Sequence, residues 1–278
     1  MVTWIFPNWL KTGPVYRAAP TRRAGLFHAR TALAGLMALL GTMAVTGAAS
    51  AAEDTPRLTV VELFTSQGCS SCPPADAALR AMRSKPGVLT LSWPVDYWDR
   101  MGWKDTFASP DHTQRQVAYN KRLGRGGVYT PQMVFDGRVQ CVGSKKDEIR
   151  QAISRARAVE RPAITPTLHR DGEQVQVRLP ATELASPVSV RVVWYIRNAS
   201  VDIVSGENQG RTLHYTNVVR HSETLRDWDG SATTLTLDPA HAQVGDANAV
   251  ALLLQDGYGH GPILGAANLE LNTQLTHR

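Results

Sequence analysis

The chain has 278 residues, with 30 Lys and Arg against 24 Asp and Glu, a formal charge of +6. Five of the bases (Lys11, Arg17, Arg22, Arg23, Arg30) and none of the acids lie within residues 1–51, so the rest carries 25 bases against 24 acids. A nearly neutral body excludes charge-driven binding to nucleic acid or to an anionic membrane.

Arg22, Arg23 and Arg30 precede an apolar stretch from Thr31 to Thr46, and Ala49-Ser50-Ala51 offers the small residues a signal peptidase reads. Residues 1–51 therefore read as an export signal. The apolar stretch is shorter than the roughly 20 residues of a membrane span. The mature protein is expected to be periplasmic or secreted, with no stable membrane anchor after cleavage. Thr21-Arg22-Arg23-Ala24-Gly25-Leu26-Phe27 resembles a twin-arginine signal, which leaves the export route open.

From about residue 52 to 161 strand and helix patterns alternate. Leu58 to Phe64 reads as a strand, Asp76 to Met82 as a helix, and Val88 to Trp93 as a second strand. A polar, aromatic-rich segment, Asp96 to Ser109, leads to a helix from Thr113 to Leu123. Gln132 to Phe135 and Arg138 to Val142 flank Asp136-Gly137, a tight-hairpin signal. Lys145 to Ala158 closes the region as a helix with Asp147 and Glu148 in its first turn. This order suits a mixed sheet with helices on both faces.

Arg161-Pro162 reads as a boundary, after which the period becomes two. Strands are expected at Gln174 to Leu179, Ser189 to Tyr195, Thr212 to Val219, Thr233 to Leu237 and Ala249 to Leu254. Turn signals stand at Asp171-Gly172, Asp229-Gly230 and Asp256-Gly257. Short strands so punctuated predict a β-sandwich or small barrel over residues 162–278.

The chemistry centres on Cys69-Ser70-Ser71-Cys72, between the first strand and the first helix. Two cysteines three apart can form a disulfide or a dithiol with little backbone motion, as thiol–disulfide exchange requires. A structural disulfide is the alternative, yet a loop of four residues constrains the unfolded chain by only about 2 kcal/mol. Metal binding, Cu(I) in particular, suits thiolates, but no third ligand is evident. Cys69 is expected to be the more exposed, attacking thiol and Cys72 the resolving one. Pro73 and Pro74 suit a first helical turn. Cys69 then precedes the helix and gains little from its dipole, so a mildly acidic thiol is expected.

Thr130-Pro131 stands just before the first hairpin strand, where thioredoxin-like folds place a cis-proline opposite the cysteine pair; Thr130 would then pair with extended substrate. Glu62, on the strand leading to the cysteines, is either exposed or a buried carboxylate able to take the resolving thiol's proton; Asp96 raises the same question. Tyr97, Trp98, Trp103 and Tyr129 offer a substrate platform or ordinary packing. Gly206-Glu207-Asn208-Gln209-Gly210-Arg211 is either a plain turn or a contact surface near the site. His112, His214 and His221 show no metal-ligand spacing with the cysteines. Gly124-Arg125-Gly126-Gly127 lacks the Lys and Ser/Thr of a phosphate loop.

Four segments carry a resemblance: Glu62 to Asp76, Val95-Asp96-Tyr97-Trp98-Asp99, Val128 to Gln132, and Gly206 to Arg220. Together they resemble a bacterial exported family known only as a domain of unknown function, thioredoxin-like at its N-terminal part with a β-rich remainder. The resemblance implies an α/β thioredoxin-like domain followed by an all-β, sandwich-like domain. The family's own substrate is not established; the cysteine pair in this setting predicts a thiol–disulfide oxidoreductase acting on protein or small-molecule thiols and disulfides, without a cofactor. Cys69, Cys72, Pro131 and Glu62 would do the chemistry, with Thr130, Tyr129 and Trp98 at the substrate. A non-enzymatic binding protein with a structural disulfide and a Cu(I)-binding protein remain the alternatives, and Cys141 has no assigned role.

Overall fold

The structure, a computed structural model, describes residues 57–160, 164–240 and 245–271. The expected export signal and the boundary at Arg161-Pro162 lie outside the described residues. β1 (Thr59–Thr65) and β2 (Val88–Pro94) are parallel, joined through α1 (Pro73–Arg83). α1 begins directly after Cys72, with Pro73 at its first position, where a missing N–H costs nothing. α2 (Pro110–Arg122) starts three residues before the expected Thr113, because the Ser109 hydroxyl accepts from the Asp111 N–H and Pro110 opens the first turn. β3 (Gln132–Phe135) runs antiparallel to β1 and turns through Asp136 and Gly137 into β4 (Val139–Val142). Gly137 has φ +63°, and a Cβ there would stand 2.3 Å from the Gly261 carbonyl oxygen; only glycine fits. α3 (Lys146–Ala158) follows.

Seven strands follow among the described residues: β5 (Thr167–Asp171), β6 (Gln174–Leu179), β7 (Val188–Asp202), β8 (Thr212–Trp228), β9 (Thr233–Leu237), β10 (Ala249–Gln255) and β11 (Ile263–Glu270). One eight-stranded sheet has the order β11-β10-β7-β8-β2-β1-β3-β4, and β5-β6-β9 form a smaller sheet. This overturns the expected thioredoxin-like α/β domain followed by a separate all-β sandwich. β8 lies parallel to β2, with Ser92 opposite Val218, so strands from both halves share one mixed sheet. The described residues all belong to one compact unit. A pairing of strands so far apart in sequence leaves no local signal, and period-two patterning in the second half looked like a self-contained domain.

The core follows from strand alternation. On one face Val60, Phe64, Leu91, Trp93, Val193 and Leu253 gather with Tyr119 of α2. On the other, Val61, Leu63 and Met133 pack against α1 and α3 through Ala75, Leu79 and Ala152. Farther along, the intervening residues of β7 and β10 meet β6 through Val175, Val177, Val192 and Leu252. β1, β2 and β10 are buried throughout, which explains their continuous apolar runs. β7 and β8 are about twice their expected length. Their hairpin end pairs Asp202 with Thr212, but several of its residues are exposed, so the apolar alternation fades there. Among the described residues no helix is long and apolar enough to cross a membrane.

Candidate functional site

Cys69 and Cys72 form a disulfide with their Cα atoms 5.5 Å apart. They sit where β1 gives way to α1, at the C-terminal ends of the parallel pair β1 and β2. Because β3 is antiparallel to β1 with Phe64 opposite Gln132, the residues just before β3 arrive at the same end. Those residues are Thr130 and Pro131, joined by a cis peptide bond. The Pro131 carbonyl accepts from the Gly143 N–H at 2.9 Å, which ties it to the segment after β4.

Trp98 connects the two loops. Its indole N–H donates to the Thr130 hydroxyl at 2.8 Å, and its Cβ lies where a side chain on Gly68 would have to go. Tyr129 is half-buried, its hydroxyl bonded to Gln140 and its ring facing the Arg125 guanidinium. Tyr97 reaches Gln116, and Trp103 donates to the Gln67 side-chain oxygen at 2.8 Å. These aromatic side chains are joined to the site's loops by hydrogen bonds as well as by packing.

The hairpin between β7 and β8 supplies what the sequence left open. Its tip, residues 203–211, reaches the cysteine loop. The Glu207 carboxylate accepts from the Ser70 N–H at 3.0 Å. The Asn208 amide donates to the Gln67 and Cys69 carbonyls at 2.9 and 3.0 Å. Asn208 is buried and its own oxygen accepts from Arg211. Behind the tip, Ile203, Leu213, Tyr215 and Val218 form an apolar cluster with Trp103 and Phe107. The loop Gly206 to Arg211 is thus a clamp on the disulfide loop.

Both cysteines are fully buried, while Ser70 and Ser71 are exposed; Cys69 is no more accessible than Cys72, contrary to expectation. The clamp is the reason: Ser70 and Cys69 are tied to it through their backbone, and the cysteine side chains turn inward. Cys69 Sγ lies 3.3 Å from the Ser71 hydroxyl, close enough for that O–H to donate to a thiolate. Asn208→Ala would leave the buried Gln67 carbonyl without its donor and the Cys69 carbonyl with the Cys72 N–H alone, a loss of about 1–3 kcal/mol in urea unfolding. It should also speed reduction of the disulfide by dithiothreitol, followed by loss of the oxidised form on a mass scale.

Glu62 is fully buried but far from free. It faces α2, on the side of β1 away from α1, and pairs with Arg115 at 2.7 and 3.1 Å. Tyr119 donates to it as well. Asp96 accepts from the Thr113 hydroxyl on α2. Neither carboxylate adjoins the disulfide.

Asp76 does. It lies one turn beyond Cys72 on α1, its N–H donating to the Cys72 carbonyl at 3.1 Å. It is 6 % exposed, and one carboxylate oxygen has no hydrogen-bond partner. Burial, with the nearby Asp105 carboxylate adding to it, pushes its pKa up to about 8 against the pull of Thr65 and Arg80. Asp105 is raised to about 6, again mainly by burial, although it accepts from the Gln67 and Phe107 N–H groups. The signal for Asp76 lies in its i, i+4 spacing from Cys72.

Cys141 is a free thiol in the core beside α3, its pKa pushed up to about 12 by burial. Among the described residues no three or more His, Cys, Asp or Glu side chains are grouped to hold a metal ion.

Comparison with known proteins places these features in a family. No protein of curated function matches the chain. A crystal structure of a protein from Agrobacterium tumefaciens is 36% identical, covers 79% of this chain and 97% of its own, and has a TM-score of 0.68. HBP35 of Porphyromonas gingivalis is 14% identical, with coverage of 80% and 79% and a TM-score of 0.52, a likeness of fold alone. The profile of the family described as "Protein of unknown function (DUF1223)" matches residues 60–255. The chain belongs to the DUF1223 family.

Proposed function

We propose that the protein is an exported thiol–disulfide oxidoreductase that exchanges its Cys69–Cys72 disulfide with protein or small-molecule thiols. The observation that carries the reading is a disulfide closing only one turn at the start of α1, at the sheet end where Thr130-Pro131 and Trp98 converge. Such a short loop adds little stability, so its value is chemical. A substrate thiolate attacks Cys69 Sγ, and Cys72 leaves as a thiolate at the N-cap of α1. A second substrate thiolate then attacks its own sulfur in the mixed disulfide, and Cys69 departs. The substrate is oxidised, the pair is reduced, and two electrons move. Run in reverse, the pair reduces a substrate disulfide. Thr130, Tyr129 and Trp98 line the approach, and no cofactor is required.

Complete burial of both sulfurs favours a second reading, a binding protein with a structural disulfide. One measurement decides between them: the reduction potential of the pair, by equilibration in glutathione or dithiothreitol buffers. Exchange chemistry predicts a value between roughly −270 and −120 mV. A value well below about −300 mV marks a structural bond and removes the oxidoreductase reading.

A further inference from the structure

The layer between α1 and the sheet holds polar atoms that packing alone does not explain. One carboxylate oxygen of Asp76, the Ser92 hydroxyl and the Tyr215 hydroxyl are buried without a hydrogen-bond partner. Ser92 points to the α1 side of β2, since Leu91 and Trp93 point to the other. Tyr215 comes from β8 and feels both Asp76 and Asp105. Buried polar atoms of this kind are rare in native proteins and call for a reason. Asp76 and Cys72 lie on one face of α1, since side chains four apart on a helix are neighbours.

We propose that Asp76 is the proton donor and acceptor for Cys72 as the Cys69–Cys72 disulfide opens and closes. The proposal rests on the oxidoreductase reading and deepens it. When substrate thiolate attacks Cys69 Sγ, the S–S electron pair leaves on Cys72 Sγ. The protonated Asp76 carboxyl then gives its proton to that sulfur, directly or through one water, and becomes a carboxylate. In the closing direction the carboxylate takes the Cys72 proton. The thiolate attacks Cys69 Sγ of the mixed disulfide, and the substrate sulfur leaves with the electron pair.

The groups facing Asp76 come from every element around it: Thr65 from β1, Arg80 from its own helix, Asp105 from the loop after β2, and Tyr215 from β8. Burial and Asp105 keep the carboxyl protonated at neutral pH, which puts the proton in place while the disulfide is closed. A carboxyl raised to about 8 lies close to the ordinary thiol value of about 8.5, and such a match makes transfer easy in both directions. This arrangement has a stability signature. The folded pKa of Asp76 lies above its unfolded value, so the unfolded chain releases this proton first. This contribution to stability is greatest below about pH 4 and falls as pH rises to about 8. In Asp76→Asn that fall should disappear.

The test uses the full mature protein. Carbon-13 NMR follows the Asp76 carboxyl from pH 5 to 10, oxidised and after reduction with dithiothreitol. The expected result is a titration that changes between the two states, because a Cys72 thiol replaces a sulfur without a proton. Identical titrations in both states overturn the proposal, and this measurement needs no variant to fold. In parallel, Asp76→Asn should slow exchange with dithiothreitol at pH 7 by about 10²-fold, within the range of general acid–base catalysis, and flatten its pH profile. An unchanged profile overturns the proposal too. A potential below about −300 mV with a redox-dependent Asp76 titration would sink the oxidoreductase reading and leave the Asp76–Cys72 coupling standing.

Discussion

Arg115→Met should destabilise the protein by about 3–5 kcal/mol, the cost of stranding one member of a buried ion pair. Glu62 is 0 % and Arg115 3 % exposed, so solvent screens little of the interaction. Arg115 serves five acceptor atoms on four residues. Its guanidinium pairs with both Glu62 oxygens, and it donates to the Tyr119 hydroxyl at 2.8 Å, the Gln255 side-chain oxygen at 3.0 Å and the Gly259 carbonyl at 3.1 Å. It also lies 4.9 Å from the Trp93 ring centre and 4.8 Å from that of Tyr119. Methionine keeps some of the packing and none of the charge, leaving Glu62 as an unpaired carboxylate in the core. Urea unfolding measures the loss. Adding Glu62→Gln to Arg115→Met should recover a large part of it, since the stranded charge is then gone. If the double variant is as unstable as the single one, the cost lies in packing and the ion-pair account fails.

The same network bears on the fold. β1 and α2 contribute Glu62, Arg115 and Tyr119, while Gln255 and Gly259 come from β10 and the turn after it. Residues about 140 apart in sequence therefore share one set of hydrogen bonds, beside a sheet in which β8 adjoins β2. A chain built this way should unfold in one transition, as a single cooperative unit does.

Local structure was largely legible in the sequence, and long-range assembly was not. The strand before the cysteines, the helix opened by Pro73, the Asp136-Gly137 turn and β10 all announce themselves through periodicity and turn chemistry acting over a few residues. β5 and β11 escaped, the first because Thr167–Asp171 is mostly exposed and polar. β11 escaped because Gly265 and two alanines dilute its apolar signal; a Cβ on Gly265 would sit 2.5 Å from the Ile164 carbonyl oxygen. The site followed the same rule. Cys69, Cys72, Thr130 and Pro131 could be placed at one sheet end because strand order alone brings them there. Which way Glu62 points depends on which face α1 covers, and that is decided by packing between distant elements. The clamp of Glu207 and Asn208 depends on how far the β7–β8 ribbon extends, which its weak alternation concealed.

The cysteine variants carry the largest functional effect. Cys69→Ala should abolish formation of mixed disulfides with glutathione or a thiol-bearing peptide, and Cys72→Ala should accumulate them. The argument is one of order. Cys69 is at the loop side, ahead of the helix and followed by exposed Ser70, and the Ser71 hydroxyl at 3.3 Å can donate to its thiolate. Cys72 closes the start of α1, its carbonyl accepting from the Ala75 and Asp76 N–H groups at 2.8 and 3.1 Å, and is held in the helix. A substrate sulfur arriving from outside therefore meets Cys69 once the Glu207 and Asn208 contacts give way. Without Cys72 nothing resolves the adduct, and it persists. Both variants should stay folded, since the lost cross-link is worth only about 2 kcal/mol. Mass spectrometry after exposure to glutathione disulfide reads the outcome directly. Adducts on Cys72 in the Cys69→Ala protein, with none on Cys69 in its counterpart, would reverse the two roles. They would also detach Asp76 from the resolving thiol, because the carboxyl would then serve the attacking one.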